Sequence, residues 1–187
     1  MPFANVRNEE ILDFNSLYLN EDITRIETTE EIYNAYMENK NKVLYDNGEI
    51  VLNPNFDEEQ VAQKRETKLI ENTNKAKEAV ENGYVEYKEA EFETNAQTVS
   101  DLTATMLLMQ ATGVESYDWL SKDDKVVTLT LEDFGILGGL IADFKNAIWS
   151  VKYLYYKNLI EQATTASELD SIIIDYDIDI NAEEIGE

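Results

Sequence analysis

Apolar side chains recur every three or four positions from Phe134 to Tyr155, the longest helical rhythm in the chain. The stripe consists of Phe134, Leu137, Ile141, Phe144, Ile148, Val151 and either Leu154 or Tyr155. Thr130 precedes it, and Asp133 stands three positions later, the spacing of a capping box at a helix N-terminus. The pattern predicts a helix that begins after Thr130, buries the stripe and organises the core of the C-terminal part.

Two short hairpins and two further helices are predicted around that helix. β-prone residues in 84–94, and on both sides of the polar turn 121–124, indicate the hairpins. Residues 95–112 have apolar spacings of three and four, and Gly113 follows as a C-terminal stop. A second capping box at 165–168 predicts a short last helix.

The first third of the chain predicts a small α+β unit. Residues 1–27 show no sustained helical period and are expected to form loop and short strand. Thr28 and Glu31 have capping-box spacing, which predicts a helix over 29–39. Two β-prone runs then flank an Asn-Gly pair in 43–52, which predicts a hairpin with a type I′ turn.

A long polar helix is predicted over residues 57–83. Acids fill its first turn, where the helix dipole favours them, and Gly83 ends it. Its clearly apolar positions are Val61, Leu69, Ile70, Ala76 and Val80. Because so thin a stripe anchors a helix poorly to its own core, we expect Val61, Leu69, Ala76 and Val80 to contact another protein.

Together these segments predict an α+β fold in four parts. These are a small N-terminal α+β unit with a β-hairpin (1–56), a long polar connecting helix (57–83), a mainly helical C-terminal domain with two short hairpins (84–174) and an acidic tail (175–187). No basic residue follows Lys157, so the tail is expected to be solvated.

The charge balance argues against polyanionic partners. The chain has 39 acidic and 15 basic residues, a formal net charge of −24. Such a field repels nucleic-acid phosphates and anionic lipid head groups, so we expect no nucleic acid and no membrane as partners. There is no signal-peptide-like run and no apolar stretch long enough to span a bilayer, which predicts a protein made in the cytoplasm that stays soluble unless exported.

Neither cysteine nor histidine occurs in the chain. Disulfides, thiolate and imidazole metal ligands, and nucleophiles activated by histidine are thereby excluded. We expect a non-enzymatic protein with no catalytic residue, no cofactor and no metal site. Carboxylate pairs for glycoside hydrolysis can be drawn almost anywhere among so many acids, so they carry no signal.

The C-terminal acids partly match the start of a calcium loop. Asp175, Asp177 and Asp179 place oxygens at alternate positions, as such a loop requires. Ile180 then stands where the loop needs glycine, and Gly186 where it needs glutamate. A solvated acidic tail is the favoured interpretation.

Gly135 and Gly139 form a small-residue pair on the long apolar helix. Each glycine inside a helix costs about 1 kcal/mol relative to alanine, so close approach of a second helix is the expected compensation. That helix belongs either to the same chain, which we favour for compactness, or to a second copy.

Aromatic residues and lysines interleave in 145–157. Trp149, Tyr153 and Tyr156 cannot all share one helix face, so some must be exposed or covered by another element. They are predicted to lie either in the core or at a protein interface. Trp119, beside a β-prone run, is expected to be a core residue.

Residues 75–172 resemble an uncharacterised domain of bacteriophage and prophage tail proteins, many of them associated with tail fibres. The residues that carry the resemblance are Tyr87, Phe92, Trp119, Asp123, Asp124, Val127, Thr128, Leu129, Thr130, Ile160, Ala163, Thr164, Leu169 and Ile172. Members usually have Asp-Asn at Asp123-Asp124 and an Asn-Gly type of turn at 88–90, so both turns of this chain depart from the pattern. The resemblance implies a structural tail protein, located in the virion tail, baseplate or fibre, with other tail or fibre proteins as partners and a possible homo-oligomer.

Two other functions stay open. A tail-fibre assembly chaperone would bind a nascent fibre and be absent from the finished particle. An acidic inhibitor that mimics DNA would need carboxylates spaced like phosphates, whereas the acids in 57–88 are dispersed among lysines.

Overall fold

The computed structural model describes residues 1–16 and 22–177 and shows a mixed α+β protein, which confirms the predicted fold class. Contacts divide the chain into two compact units, Met1–Ala62 and Gln63–Glu187. Helix α2, introduced below, begins in the first unit and continues in the second.

A three-stranded antiparallel sheet opens the first unit. Strands β1 (Phe3–Arg7), β2 (Glu10–Phe14) and β3 (Thr24–Glu27) are arranged in the order β2-β1-β3. This sheet is more regular than the loop and short strand predicted for the region. Strands of four or five residues are too short for an alternating pattern to stand out in the sequence.

Helix α1 (Glu30–Glu38) follows the sheet. Its N-cap is Thr29, whose side chain accepts a hydrogen bond from the backbone N–H of Ile32 at 3.2 Å. The predicted cap, Thr28, is one residue too early and is buried instead. The helix itself agrees with the prediction to within one residue at each end.

The predicted N-terminal hairpin is confirmed. Strand β4 (Val43–Asp46) pairs with β5 (Glu49–Leu52), and Asn47 and Gly48 between them have φ angles of 48° and 96°, as a type I′ turn requires. The core of this unit consists of Ala4, Val6, Phe14, Val43 and Ile50.

The second unit is mainly helical. Its elements are the greater part of α2 (Phe56–Asn82), then β6 (Tyr84–Tyr87), β7 (Ala90–Glu93), α3 (Ala96–Thr112), β8 (Ser116–Leu120), β9 (Val126–Thr130), α4 (Leu131–Asn146), α5 (Leu154–Gln162) and α6 (Ala166–Ser171). The pairs β6–β7 and β8–β9 are the two predicted hairpins. Both capping boxes predicted for this unit are present, at Thr130 and Thr165. The largest fully buried apolar side chains here are Val85, Phe92, Leu129, Phe134, Leu137, Ile141, Ile148, Ile160 and Leu169.

A π-helical segment, Ala147–Tyr153, joins α4 to α5 without a break in the helical backbone. We call the continuous helix from Leu131 to Gln162 the α4–α5 helix. A π turn has more residues than an α turn, so it rotates all later side chains around the axis. The predicted buried stripe is therefore correct up to Ile148 and wrong beyond it, where Val151 is 60% exposed and Tyr155 58% exposed.

Residues 172–177, which we call the C-terminal segment, follow α6 without regular secondary structure. Ile174 is 3% exposed and Tyr176 is 9% exposed, so the segment packs on its own unit. The predicted solvated tail is therefore wrong for Tyr176, whereas the neighbouring Asp175 and Asp177 are exposed. Residues 178–187 lie outside the described part of the chain.

Candidate protein-interaction surfaces

One side of α2 binds the C-terminal segment. Lys68 Nζ donates a hydrogen bond to the carbonyl oxygen of Ile172 at 3.1 Å, and Lys75 Nζ donates to that of Ile174 at 2.9 Å. Both acceptors are peptide oxygens, which every residue type offers. These two hydrogen bonds consequently place no demand on the side chains of Ile172 and Ile174.

The middle of α2 is buried in the second unit. Asn72 and Ala76 are both 0% exposed. Asn72 Nδ2 donates to the carbonyl of Tyr153 at 3.1 Å, and its Oδ1 accepts a hydrogen bond from the Tyr176 hydroxyl. Ala76 is closed to any other protein, so its predicted contact is wrong. The expectation that α2 lacks a firm anchor also fails, because hydrogen bonds supply the anchor that its few apolar residues do not.

A second side of α2 keeps apolar side chains accessible. One shallow depression is lined by Leu69, which is half-buried, and by Ile70, which is 54% exposed. Half-buried Val80 lines another together with Trp149. The structure thus brings together two predicted interface residues, Val80 and Trp149, from different parts of the sequence. Val61 is half-buried and belongs to the first unit.

The predicted aromatic residues divide between two environments. Trp149 packs on Tyr153, with ring centroids 5.3 Å apart, and both are half-buried. The Tyr156 hydroxyl donates to the carbonyl of Asp175 at 3.0 Å and accepts from the N–H of Asp175 at 3.1 Å. Tyr156 therefore holds the C-terminal segment, and Trp149 is the member of the set that reaches an accessible depression.

The three glycines of α4 face open space. A β-carbon added at Gly135, Gly138 or Gly139 would meet no atom within 4 Å. The favoured expectation, that a helix of the same chain packs closely on this face, is therefore wrong for the described residues. The other alternative, a second copy, is left open by the geometry.

Asp133 is a buried carboxylate with a structural role. It is 7% exposed, and it accepts hydrogen bonds from the Tyr87 hydroxyl at 2.7 Å and from the N–H of Thr130 at 2.8 Å, with Lys88 Nζ 2.6 Å away. Burial acts to raise the pKa of Asp133, but the hydrogen bonds from Lys88, Thr130 and Tyr87 outweigh it and hold the pKa well below its usual value. Burial, with Asp133 beside it, raises the pKa of Tyr87 to about 12.

Asp123 fastens the turn of the β8–β9 hairpin to strand β7. Its Oδ1 accepts from the N–H of Glu91 at 3.1 Å and from Ser121 Oγ at 2.6 Å, and Lys125 Nζ lies 2.8 Å from its Oδ2. Hydrogen bonds from Lys125, Ser121 and Glu91 hold the pKa of Asp123 below its usual value. These contacts give Asp123 a structural role in the turn. Trp119 likewise has a structural role. It is half-buried, and its ring packs edge-on against that of Phe134, with ring centroids 5.6 Å apart.

No metal-binding cluster is found in the described ranges 1–16 and 22–177, where no three carboxylates are grouped to hold an ion. Asp179, Ile180 and Gly186 of the partial calcium motif lie outside those ranges. None of the described helices combines the length and the apolarity needed to cross a membrane.

A family model described as a domain of unknown function, DUF4376, matches residues 62–178, well over half of the chain. The chain belongs to the DUF4376 family. The match nearly coincides with the second compact unit, Gln63–Glu187. The DUF4376 domain of this protein therefore consists of the greater part of α2, both C-terminal hairpins, α3, the α4–α5 helix and α6. No curated protein and no solved structure matches the chain.

Proposed function

We propose that this DUF4376 protein is a structural component of a phage tail or a phage-tail-like particle, associated with the baseplate or fibre, and that it acts by binding other tail proteins. The resemblance of residues 75–172 to tail-protein domains supports the context. The accessible apolar side of α2 supports the mode of action. Although the chain is highly charged, with a net charge of −24, Ile70 is mostly exposed there, beside Leu69. Adjacent exposed apolar side chains are typical of protein-interaction sites.

The depression that contains Val80 and Trp149 is the observation that carries the proposal. Tryptophan is enriched at the centres of protein interfaces, where it fills desolvated pockets. The depression is bordered by the charged residues Lys77, Glu78 and Glu81. An apolar centre with a charged rim is the usual arrangement of a protein-binding surface.

The test is incorporation into particles. Replacing Leu69 and Val80 with aspartate puts two charges on the accessible side of α2 and should prevent the protein from entering assembled particles. Gln63→Asp combined with Thr67→Asp is the matched control, because these exposed residues lie on another face of the same helix. Circular dichroism of each purified variant establishes that the domain is folded.

Mass spectrometry of washed particles gives the readout. Wild type and control should yield peptides of this chain, and the Leu69/Val80 variant should not. Normal incorporation of that folded variant contradicts an assembly role for this side of α2. Absence of the wild-type chain from washed particles contradicts the structural role and favours a tail-fibre assembly chaperone.

A further inference from the structure

The α4–α5 helix presents an extended face away from its own core. Leu131, Gly135, Gly139 and Ala142 are exposed along α4, opposite the buried residues Leu137 and Ile141. The π-helical segment then turns Val151, Leu154 and Tyr155 outward, although an uninterrupted α-helix would point Val151 and Tyr155 towards the core. The outer face therefore stays largely apolar along the whole helix.

The two halves of this outer face differ in side-chain size. The α4 half forms a shallow groove, because Gly135 and Gly139 have no side chains and no other atom lies within 4 Å of a β-carbon built at either position. In the later half, large side chains project from the helix: Val151 is 60%, Leu154 46% and Tyr155 58% exposed. Gly139 and Tyr155 lie equally far from Ala147 in the sequence, as do Gly135 and Leu159. An antiparallel pair of such helices would place large side chains over glycines at both ends.

The charged residues, like the side-chain sizes, differ between the two halves of the helix. The first half of the helix carries the exposed acids Glu132 and Asp143 and the half-buried Lys145. Its second half carries Lys152 and Lys157, with Glu161 as its only acid. Antiparallel pairing about Ala147 brings Lys152 of each copy near Asp143 of the other and opposes the two helix dipoles. Parallel pairing would superpose like charges along the whole length.

We infer that two copies of this protein pack their α4–α5 helices against each other in an antiparallel, twofold-symmetric contact centred near Asn146 and Ala147. The contact is isologous, so each copy contributes both a glycine-lined half and an aromatic half. Close approach at the glycines compensates for the stability that three glycines cost this helix. The contact uses a different surface from the accessible side of α2, and it does not depend on the tail proteins proposed to bind there.

The absence of cysteine from the natural chain allows a direct test by single-cysteine variants. Asn146→Cys places the thiols of the two copies at the symmetry axis, where mild oxidation should form a disulfide-linked dimer. Leu131→Cys is the matched control on the same face. In the antiparallel pair its two copies lie at opposite ends of a helix about 45–50 Å long, so no disulfide should form. Cross-linking of Leu131→Cys without that of Asn146→Cys overturns the antiparallel arrangement.

Sedimentation equilibrium of the full chain measures the association itself. Wild type should be a dimer at micromolar concentration, and Gly139→Leu should weaken dimerisation at least about tenfold by filling the groove. Because that site is open, Gly139→Leu should leave the circular dichroism spectrum unchanged. Ser100→Leu, an exposed position on α3, should leave dimerisation unchanged. A monomeric wild type, or a Gly139→Leu variant that dimerises normally, overturns the inference. Particle incorporation of the Leu69/Val80 variant bears only on the proposed tail function, so the two failures are distinguishable.

Discussion

The hydroxyl of Tyr176 donates a hydrogen bond to the side-chain oxygen of Asn72, which lies 104 residues earlier in the chain. Both side chains are buried, and Tyr176 also packs on Tyr156 with ring centroids 5.7 Å apart. Burial, together with the nearby Tyr153 and Tyr156, raises the pKa of Tyr176 to about 12. The hydroxyl therefore keeps its proton, and its donor role, throughout the neutral and moderately alkaline range.

Replacing Tyr176 with phenylalanine should lower the free energy of unfolding by about 1–3 kcal/mol. The ring packing is retained, but the buried oxygen of Asn72 loses its hydrogen-bond donor and pays the cost of desolvation. Urea denaturation followed by circular dichroism measures the change. Tyr155→Phe, which removes the hydroxyl of a mostly exposed tyrosine, should change the free energy by less than about 0.5 kcal/mol. Equal effects of the two substitutions would mean that the Asn72 contact contributes nothing.

Local signals made much of this fold predictable. The turn at Asn47-Gly48 and the capping boxes at Thr130 and Thr165 each depend on residues within a few positions of one another, so the sequence displays them directly. The anchor of α2 involves Lys68 and Lys75, which bind backbone carbonyls of the C-terminal segment. A carbonyl acceptor leaves no trace in residue type, so this anchor could not be read from the sequence.

The turn at Lys88 and Glu89 has a two-residue hairpin geometry without the usual residues. Both have positive φ, 50° and 61°, a region that glycine and asparagine enter far more readily. Lys88 forms an ion pair with Asp133, and Lys125 Nζ donates a hydrogen bond to the carbonyl of Glu89. Because the left-handed region is strained for a residue with a side chain, Glu89 adopts this conformation at a cost in stability.

Glu89→Gly should raise the free energy of unfolding by about 0.5–1 kcal/mol, because it relieves the left-handed conformation and leaves the Lys88 contact intact. Thermal unfolding followed by circular dichroism provides the measurement. Glu86→Gly, at an exposed position inside strand β6, should instead lower stability by about 0.5–1 kcal/mol. A loss of stability in both variants would show that the positive φ of Glu89 is not strained.

Asp133 should make the protein sensitive to acid. Its pKa is lower in the folded than in the unfolded state, so its stabilising contribution is complete above the unfolded value of about 3.9 and is lost as the pH falls towards the folded value. Asp133→Asn should cost about 1–3 kcal/mol at neutral pH, since it disrupts the capping box and the Lys88 contact. The difference from wild type should shrink below about pH 4.

Urea titrations at a series of pH values test this dependence. Glu132→Gln is the matched control, because Glu132 is exposed and lies in the same helical turn. It should change neutral stability by less than about 0.5 kcal/mol. A difference between wild type and Asp133→Asn that stays constant down to pH 3 would contradict the role assigned to the charged carboxylate.

The candidate surfaces were less predictable than the fold. Val80 and Trp149 were both predicted as interface residues, but their common depression depends on how α2 packs beside the π-helical segment. Ala76 was assigned to an interface because an apolar residue on a polar helix looks the same whether its own chain or a partner covers it. The outward turn of Val151 was missed because helical periodicity assumes uniform α geometry.

Gly83 allows close contact between the end of α2 and Phe144 of the α4–α5 helix. A β-carbon at this position would lie 2.5 Å from the carbonyl oxygen of Ala79 and 2.6 Å from Cζ of Phe144. The Ala79 oxygen belongs to the backbone, and the Phe144 ring is buried, with only 4% of the residue exposed. Neither can move away without disturbing the packed core.

Gly83→Ala should therefore lower the free energy of unfolding by about 1–3 kcal/mol, although the substitution adds a single methyl group. Gly138→Ala is the matched control, because the same methyl group meets open space on α4 and should raise helix stability by up to about 1 kcal/mol. Urea denaturation of both variants at low protein concentration keeps the self-association proposed for α4 out of the comparison. Opposite signs for the two substitutions are expected, since one site is filled by Phe144 and the other is empty. A Gly83→Ala variant as stable as wild type would mean that α2 and the α4–α5 helix pack less closely than the structure shows.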